Sequence, residues 1–192
     1  PSGGVGSTNY TLSGTPTLDI TSVQTYTFNV ATTGNNGCTI AEIPVTITIN
    51  PDDEISLVSG DANPIVCEGD TITPIVHSLG GSATSSTLTW DNTAPVGLLY
   101  NSATNTISGT PTGISSPTQY PYTITTSGIG CDVATATGTI TVNPDHEMTL
   151  TTGPVIQTIC EGDAIVDLEF TLGGGATSAT AVNLPPGLAP NS

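Results

Sequence analysis

The sequence predicts an all-β protein of tandem β-sandwich repeats, each about 93–95 residues long, with essentially no helix. Three observations predict it. Composition favours strands and turns: 37 Thr and 17 Ser stand beside 22 Gly and 15 Pro in 192 residues. Thr suits a pleated, half-buried surface, while Gly and Pro punctuate turns. Apolar and polar residues alternate with period two, and blocks of sequence recur in order.

The recurring blocks set the phase. Leu12–Thr17 (LSGTPT) returns as Ile107–Thr112 (ISGTPT), a shift of 95, and Gly37–Asp52 returns as Gly130–Asp145, a shift of 93. Cys67–Asp70 (CEGD) returns as Cys160–Asp163, and Gly80–Thr84 returns as Gly173–Thr177, both again by 93. The natural break is Asn-Pro-Asp, at Asn50–Asp52 and Asn143–Asp145. Residues 1–50 then read as the C-terminal half of one repeat, 51–144 as a complete repeat, and 145–192 as the N-terminal half of another. Half a sandwich cannot bury its core. The chain is therefore expected to come from a longer array, or to self-associate head to tail so that halves from neighbouring copies complete each other.

The strands follow from alternation. Tyr26, Phe28 and Val30 share one face, and Val45, Ile47 and Ile49 share another. In the complete repeat, Ile140 and Val142 alternate with Thr139 and Thr141, with Tyr122 and Ile124 on the partner strand. Thr71–Val76 reads as an early strand whose Pro74 marks an edge or bulge. Leu88 and Trp90 give a middle strand, with Trp90 as core anchor. Turns are expected at 34–37, 80–81, 127–130 and 173–175, where glycines cluster.

Charge excludes several functions. The chain has no Lys or Arg, 16 Asp plus Glu, 2 His and a net charge of −16. Nothing can neutralise phosphates, so no nucleic-acid partner is expected. A polybasic membrane anchor is excluded as well, no apolar run is long enough to span a bilayer, and no membrane insertion is expected. No signal peptide is visible, so a secreted protein has lost it or the chain is an internal piece. His77 and His146 are the only bases titrating near neutrality, and neither lies in a nucleophile motif; no enzymatic activity is expected.

Cysteines occur twice per repeat. The complete repeat holds Cys67 and Cys131, and sandwiches of this size commonly bridge an early strand to a late one. That bridge, with Cys38 and Cys160 paired outside the fragment, is the favoured pairing. It closes a loop worth roughly 4 kcal/mol on the chain-entropy model. Pairing Cys38 with Cys67 and Cys131 with Cys160 is the rival. Either places the protein outside the cytosol.

Acidic residues gather at the junctions and CEGD turns: Asp52, Asp53, Glu54, Asp61, Asp70, Asp145, Glu147 and Asp163. Calcium takes six to eight oxygen ligands, and no cationic side chain competes here, so Asp52, Asp53, Glu54, Asp70, Asp145, Glu147 and Asp163 are candidate calcium ligands at stiffened junctions. The plainer reading is a solvated acidic linker.

Leu184–Leu188 (LPPGL), and in the complete repeat Ala94–Leu98 followed by Ile107–Thr112, resemble the LPPGL…ISGTPT signature of Ig-like repeats in bacterial surface proteins. Val66–Asp70 and Gly130–Pro144 are similar to the Ig-like or PKD-like repeats of giant Bacteroidota cell-surface proteins, the gliding-motility adhesins among them. The resemblance covers the chain, with the LPPGL motif degenerate at Val96. It implies type 9 secretion, an extracellular cell-surface location, and a stalk or filament that presents or mediates adhesion. It also makes Thr71, in Asp70-Thr71-Ile72, a candidate for O-glycosylation. Asn9-Tyr10-Thr11 fits the N-glycan sequon. The alternatives are a glycan- or ligand-binding module using Trp90, Tyr100, Tyr120 and Tyr122, or an accessory domain of a large secreted enzyme. The expected partners are neighbouring repeats, further copies in a filament, and surface glycans.

Overall fold

The structure, a computed structural model, describes residues 9–33, 37, 39–130 and 132–190. It is all-β, and among the described residues no helix forms. Twelve strands appear in chain order among them. They are β1 (Gln24–Ala31), β2 (Glu42–Ile49), β3 (Asp53–Ser59), β4 (Ile65–Cys67), β5 (Ile75–Gly81), β6 (Ala83–Trp90), β7 (Leu98–Asn101), β8 (Thr106–Gly109), β9 (Thr118–Gly128), β10 (Thr135–Asn143), β11 (His146–Thr152) and β12 (Glu169–Gly174).

Two four-stranded sheets, ordered β3-β5-β8-β7 and β4-β10-β9-β6, form a β-sandwich between Asp53 and Asn143. Alternation directs one side chain in two inward, so each sheet supplies half of the core. Ile75, Leu98 and Ile107 come from the first sheet, and Tyr122, Ile124, Ile140 and Val142 from the second. Ile72 joins them from the segment before β5. All pairings in the sandwich are antiparallel except β4 on β10, where Asn143 stands opposite Cys67. That parallel contact needs a long crossover, and it carries the CEGD turn to the far end of β10.

Two expectations are corrected. Thr71–Pro74 is not strand: β5 begins at Ile75, because the chain there is held by isolated bonds, such as Ile72 N–H to the Gly109 carbonyl, rather than by a ladder. The core anchor is Tyr122, the largest fully buried side chain, whose hydroxyl donates to the Ala62 carbonyl at 3.1 Å. Trp90 is half-buried and meets Tyr122 edge-on, with ring centroids 5.8 Å apart.

The pairs β1–β2 and β11–β12 each form a two-stranded sheet. Their registers repeat those of the sandwich. Asp53↔Gly81, Ile55↔Leu79 and Leu57↔His77 recur as His146↔Gly174, Met148↔Leu172 and Leu150↔Phe170. Even the bulge between Leu57 and Ser59 recurs between Leu150 and Thr152. Likewise Thr118↔Val142 and Tyr122↔Gly138 of β9–β10 recur as Gln24↔Ile49 and Phe28↔Val45 of β1–β2.

Candidate functional site: the two poles of the sandwich

Cys67 and several of the acidic residues lie at the ends of the sandwich. At the first pole, Pro51 and Asp53 are buried beside Ser82. Ser82 Oγ donates to the Pro51 carbonyl at 2.7 Å, and Ser82 N–H donates to the Asp52 carbonyl at 3.3 Å. The turn after β9 rests on this corner. Asn50 Nδ2 donates to the Ile129 carbonyl at 3.1 Å, and Asp53 N–H donates to the Asp132 carbonyl at 3.0 Å. Gly130 packs against Pro51 and Asp53 so closely that an added Cβ would lie 2.7 Å from Asp53 Oδ1. Asp53 Oδ1 has no hydrogen-bond partner among the described residues.

The second pole holds the CEGD turn. Asp70 N–H donates to the Cys67 carbonyl at 3.2 Å, Glu68 N–H to the Asn143 carbonyl at 2.8 Å, and Gly69 N–H to the Pro111 carbonyl at 3.0 Å. Gly69 adopts φ +82°, a left-handed conformation that glycine takes without strain. The Glu68 carboxylate caps the segment after β8, accepting N–H bonds from Gly113 and, at 3.2 Å, Ile114. Beside this turn lies a hollow lined by Cys67, Asn143, Pro144, Asp145, His146 and Gly175.

The corner repeats at this second pole. Gly81 (φ +61°) lies against the Asp52 carbonyl where a Cβ would collide, and Gly174 (φ +59°) lies against the Asp145 carbonyl in the same way. Gly175 N–H donates to the Asp145 carbonyl at 3.0 Å, as Ser82 N–H does to Asp52.

The expected site residues fall as follows. Cys67 is exposed and unbridged, as is Cys160 in its own CEGD turn. Cys38 and Cys131 lie outside the described residues, as do 34–36 of the expected turn. The described neighbours of Cys131, Gly130 and Asp132, are at the first pole, whereas Cys67 is at the second. Between them runs β10, nine residues long, which spans about 30 Å at strand rise. The acidic candidates are spread over both poles. Asp52, Glu54, Asp70, Asp145, Glu147 and Asp163 are exposed, and Asp53 is buried. Among the described residues no three His, Cys, Asp or Glu side chains come together as a metal-holding group. Thr71 is exposed, its hydroxyl sharing a 2.8 Å hydrogen bond with that of Thr110.

His77 points inward from β5 and is buried in the sandwich; burial lowers its pKa, holding the ring neutral. Its Nδ1 has no hydrogen-bond partner among the described residues. His146 is exposed at the start of β11. The four aromatics of the complete repeat do not form an open platform. Tyr122 is buried, Trp90 packs on it, and the Tyr100 hydroxyl is bonded inward to Ser86. Sequence reasoning missed the Ser86–Tyr100–Asn105 cluster. Its one local signal was Asn105 in a turn-forming stretch, and Asn105 does adopt φ +50°. Chemically, the poles offer acidic side chains and, beside the CEGD turn, the exposed Cys67 thiol, with no Lys or Arg to form an ion pair.

No curated protein matches the chain. Among solved structures, the crystal structure of the Protocadherin GammaB4 extracellular domain matches at 15% identity with a TM-score of 0.41. The match covers 84% of this chain, which spans 29% of that one. Residues 55–144, nearly the whole of the sandwich, match the family described as "Putative Ig domain", so this part of the chain is similar to an Ig domain.

Proposed function

We propose that the chain is a structural and adhesive repeat segment of a secreted bacterial cell-surface protein. It acts as a stalk outside the cell that presents or mediates attachment, as in gliding or surface adhesion. The observation that carries this reading is the recurrence of one corner at both poles. Gly81 on Asp52 and Gly174 on Asp145 are the same junction built twice, 93 residues apart. A device for stacking sandwiches serves a rod better than it serves a reaction. The inward aromatics favour a stalk over a glycan platform, and the neutral, buried His77 offers no surface base. The resemblance of the sequence to Bacteroidota surface repeats supports export by type 9 secretion.

Antibodies against the chain test the location and the role together. Labelling of intact producing cells, with loss of surface attachment when the antibody is present, is the expected result. Labelling only after permeabilisation overturns the reading.

A further inference from the structure

We propose that the outer strand β4 of the second sheet, with the hollow beside it, is a docking site for a short extended peptide carrying Lys or Arg, which adds to β4 as a further strand.

The site arises where the chain changes sheets. Up to Ser59, opposite Val76, the chain pairs with β5 in the first sheet. From Ile65 it pairs with β10 in the second. The segment before Val76 therefore loses its β3 partner, and β4 becomes the outer strand of the second sheet. Between the two lies a hollow of about 520 Å³, with Ile65 and Cys67 on one side, Thr71 and Thr73 on the other, and Asp61 and Asp70 also lining it.

The backbone of β4 is ready for a partner on this side. Thr141 N–H donates to the Pro64 carbonyl at 2.9 Å and Glu68 N–H to the Asn143 carbonyl at 2.8 Å, so Pro64, Val66 and Glu68 turn their backbone toward β10. The alternate residues turn theirs away, which leaves the Ile65 N–H and C=O and the Cys67 N–H at the sheet edge, with no strand beside them among the described residues. Such a row is a template for strand addition. Ile65 is 72% exposed and gives an incoming strand an apolar side chain to pack on. Charge selects the occupant. Asp61 precedes β4 and Asp70 follows it, both are exposed at the hollow, and no Lys or Arg in the chain offsets them. A second copy would bring another net charge of −16 to the contact. A strand with Lys or Arg near each end brings the complement instead, so the occupant comes from another protein.

The proposal stands whether or not the chain serves as a stalk. Its test titrates the reduced, nitrogen-15-labelled chain with the end-blocked peptide Lys-Val-Thr-Val-Lys and follows the backbone amides. The Ile65 and Cys67 amides should shift together and saturate. A fully N-methylated version of the peptide keeps its charge but cannot donate to the edge, and should bind more than about tenfold more weakly. Asp61→Asn and Asp70→Asn should each weaken the unmodified peptide by about two- to fivefold. The peptide Glu-Val-Thr-Val-Glu should leave these amides unmoved. Asp61 Oδ1 accepts the Asn63 N–H at 2.9 Å, and Asp61→Asn keeps an oxygen for that bond, so this variant should fold as the parent does. Three results overturn the proposal: shifts spread over the acidic surface that pass over Ile65 and Cys67, an N-methylated peptide that binds as well, or Ile65 and Cys67 shifts that follow chain concentration without peptide, which would make a second copy the occupant.

Discussion

Ser86 and Asn105 are joined across the two sheets of the sandwich by a 2.6 Å hydrogen bond from Ser86 Oγ to Asn105 Oδ1. Ser86 lies on β6 of one sheet, and Asn105 precedes β8 of the other. With its own proton committed to Asn105, Ser86 accepts from the Tyr100 hydroxyl. The Asn105 carbonyl takes the His77 N–H at 3.0 Å, so one turn residue ties three strands. Ser86→Ala removes a buried hydroxyl and leaves the Asn105 Oδ1 and the half-buried Tyr100 hydroxyl short of a partner, and should cost about 1–3 kcal/mol. Asn105→Ala should cost more, because it also forces a Cβ-branched-free but ordinary residue into positive φ. Urea unfolding followed by Trp90 fluorescence measures both.

The pH dependence has a definite sign. Burial lowers the His77 pKa in the folded state, so the unfolded chain takes up its proton first. Its contribution is complete above the ordinary value of 6.5 and is lost as pH falls below it. Tyr122 is the opposite case. Burial first, and then the nearby Asp61 charge, push it up from 10.0 to about 12, so its contribution is complete below 10 and is lost as pH rises from there. His77→Phe should fold, since Phe170 holds the equivalent register position in β12, and should remove the acid limb due to His77. Melting temperatures of both proteins between pH 5 and 8, a range that brackets the ordinary histidine pKa of about 6.5, test this.

Glu68 is a structural carboxylate. It holds the chain after β8 through Gly113 and Ile114. Glu68→Ala should destabilise the sandwich by about 1–3 kcal/mol, since hydrogen bonds to charged groups are the stronger kind. Hydrogen exchange at the Gly113 and Ile114 amides should rise in that variant before exchange in β9 and β10 does.

Proteolysis should separate the sandwich from its flanks. Trypsin has no site, because the chain lacks Lys and Arg. A Glu-specific protease meets exposed Glu161 in a turn outside any strand, whereas the Glu68 carboxylate is bonded to the Gly113 and Ile114 amides. Cleavage at Glu161 should precede cleavage at Glu68, and mass spectrometry of the early products would show it.

Salt should stabilise the chain. With a net charge of −16 and no Lys or Arg, the charges of this protein mostly repel one another. Raising ionic strength shortens the range of that repulsion to about 8 Å at 0.15 M. The melting temperature should therefore rise between low and physiological salt, opposite to a fold held by surface ion pairs.

The sequence by itself determined the β class and the faces of β9 and β10. The face is a local property: period-two alternation at Thr139–Val142 states which side is inward without reference to any other part of the chain. Only the tertiary structure decided where non-local partners stand. The crossover that pairs β4 with β10 sets Cys67 against Asn143, so the early cysteine is at the pole opposite the neighbours of the late one. Alternation likewise misread Thr71–Pro74, because a run of apolar and polar residues becomes strand only where a neighbouring ladder accepts its backbone. His77 is inward and neutral for the same reason: its burial depends on the sheet that covers it, a fact that no local pattern carries.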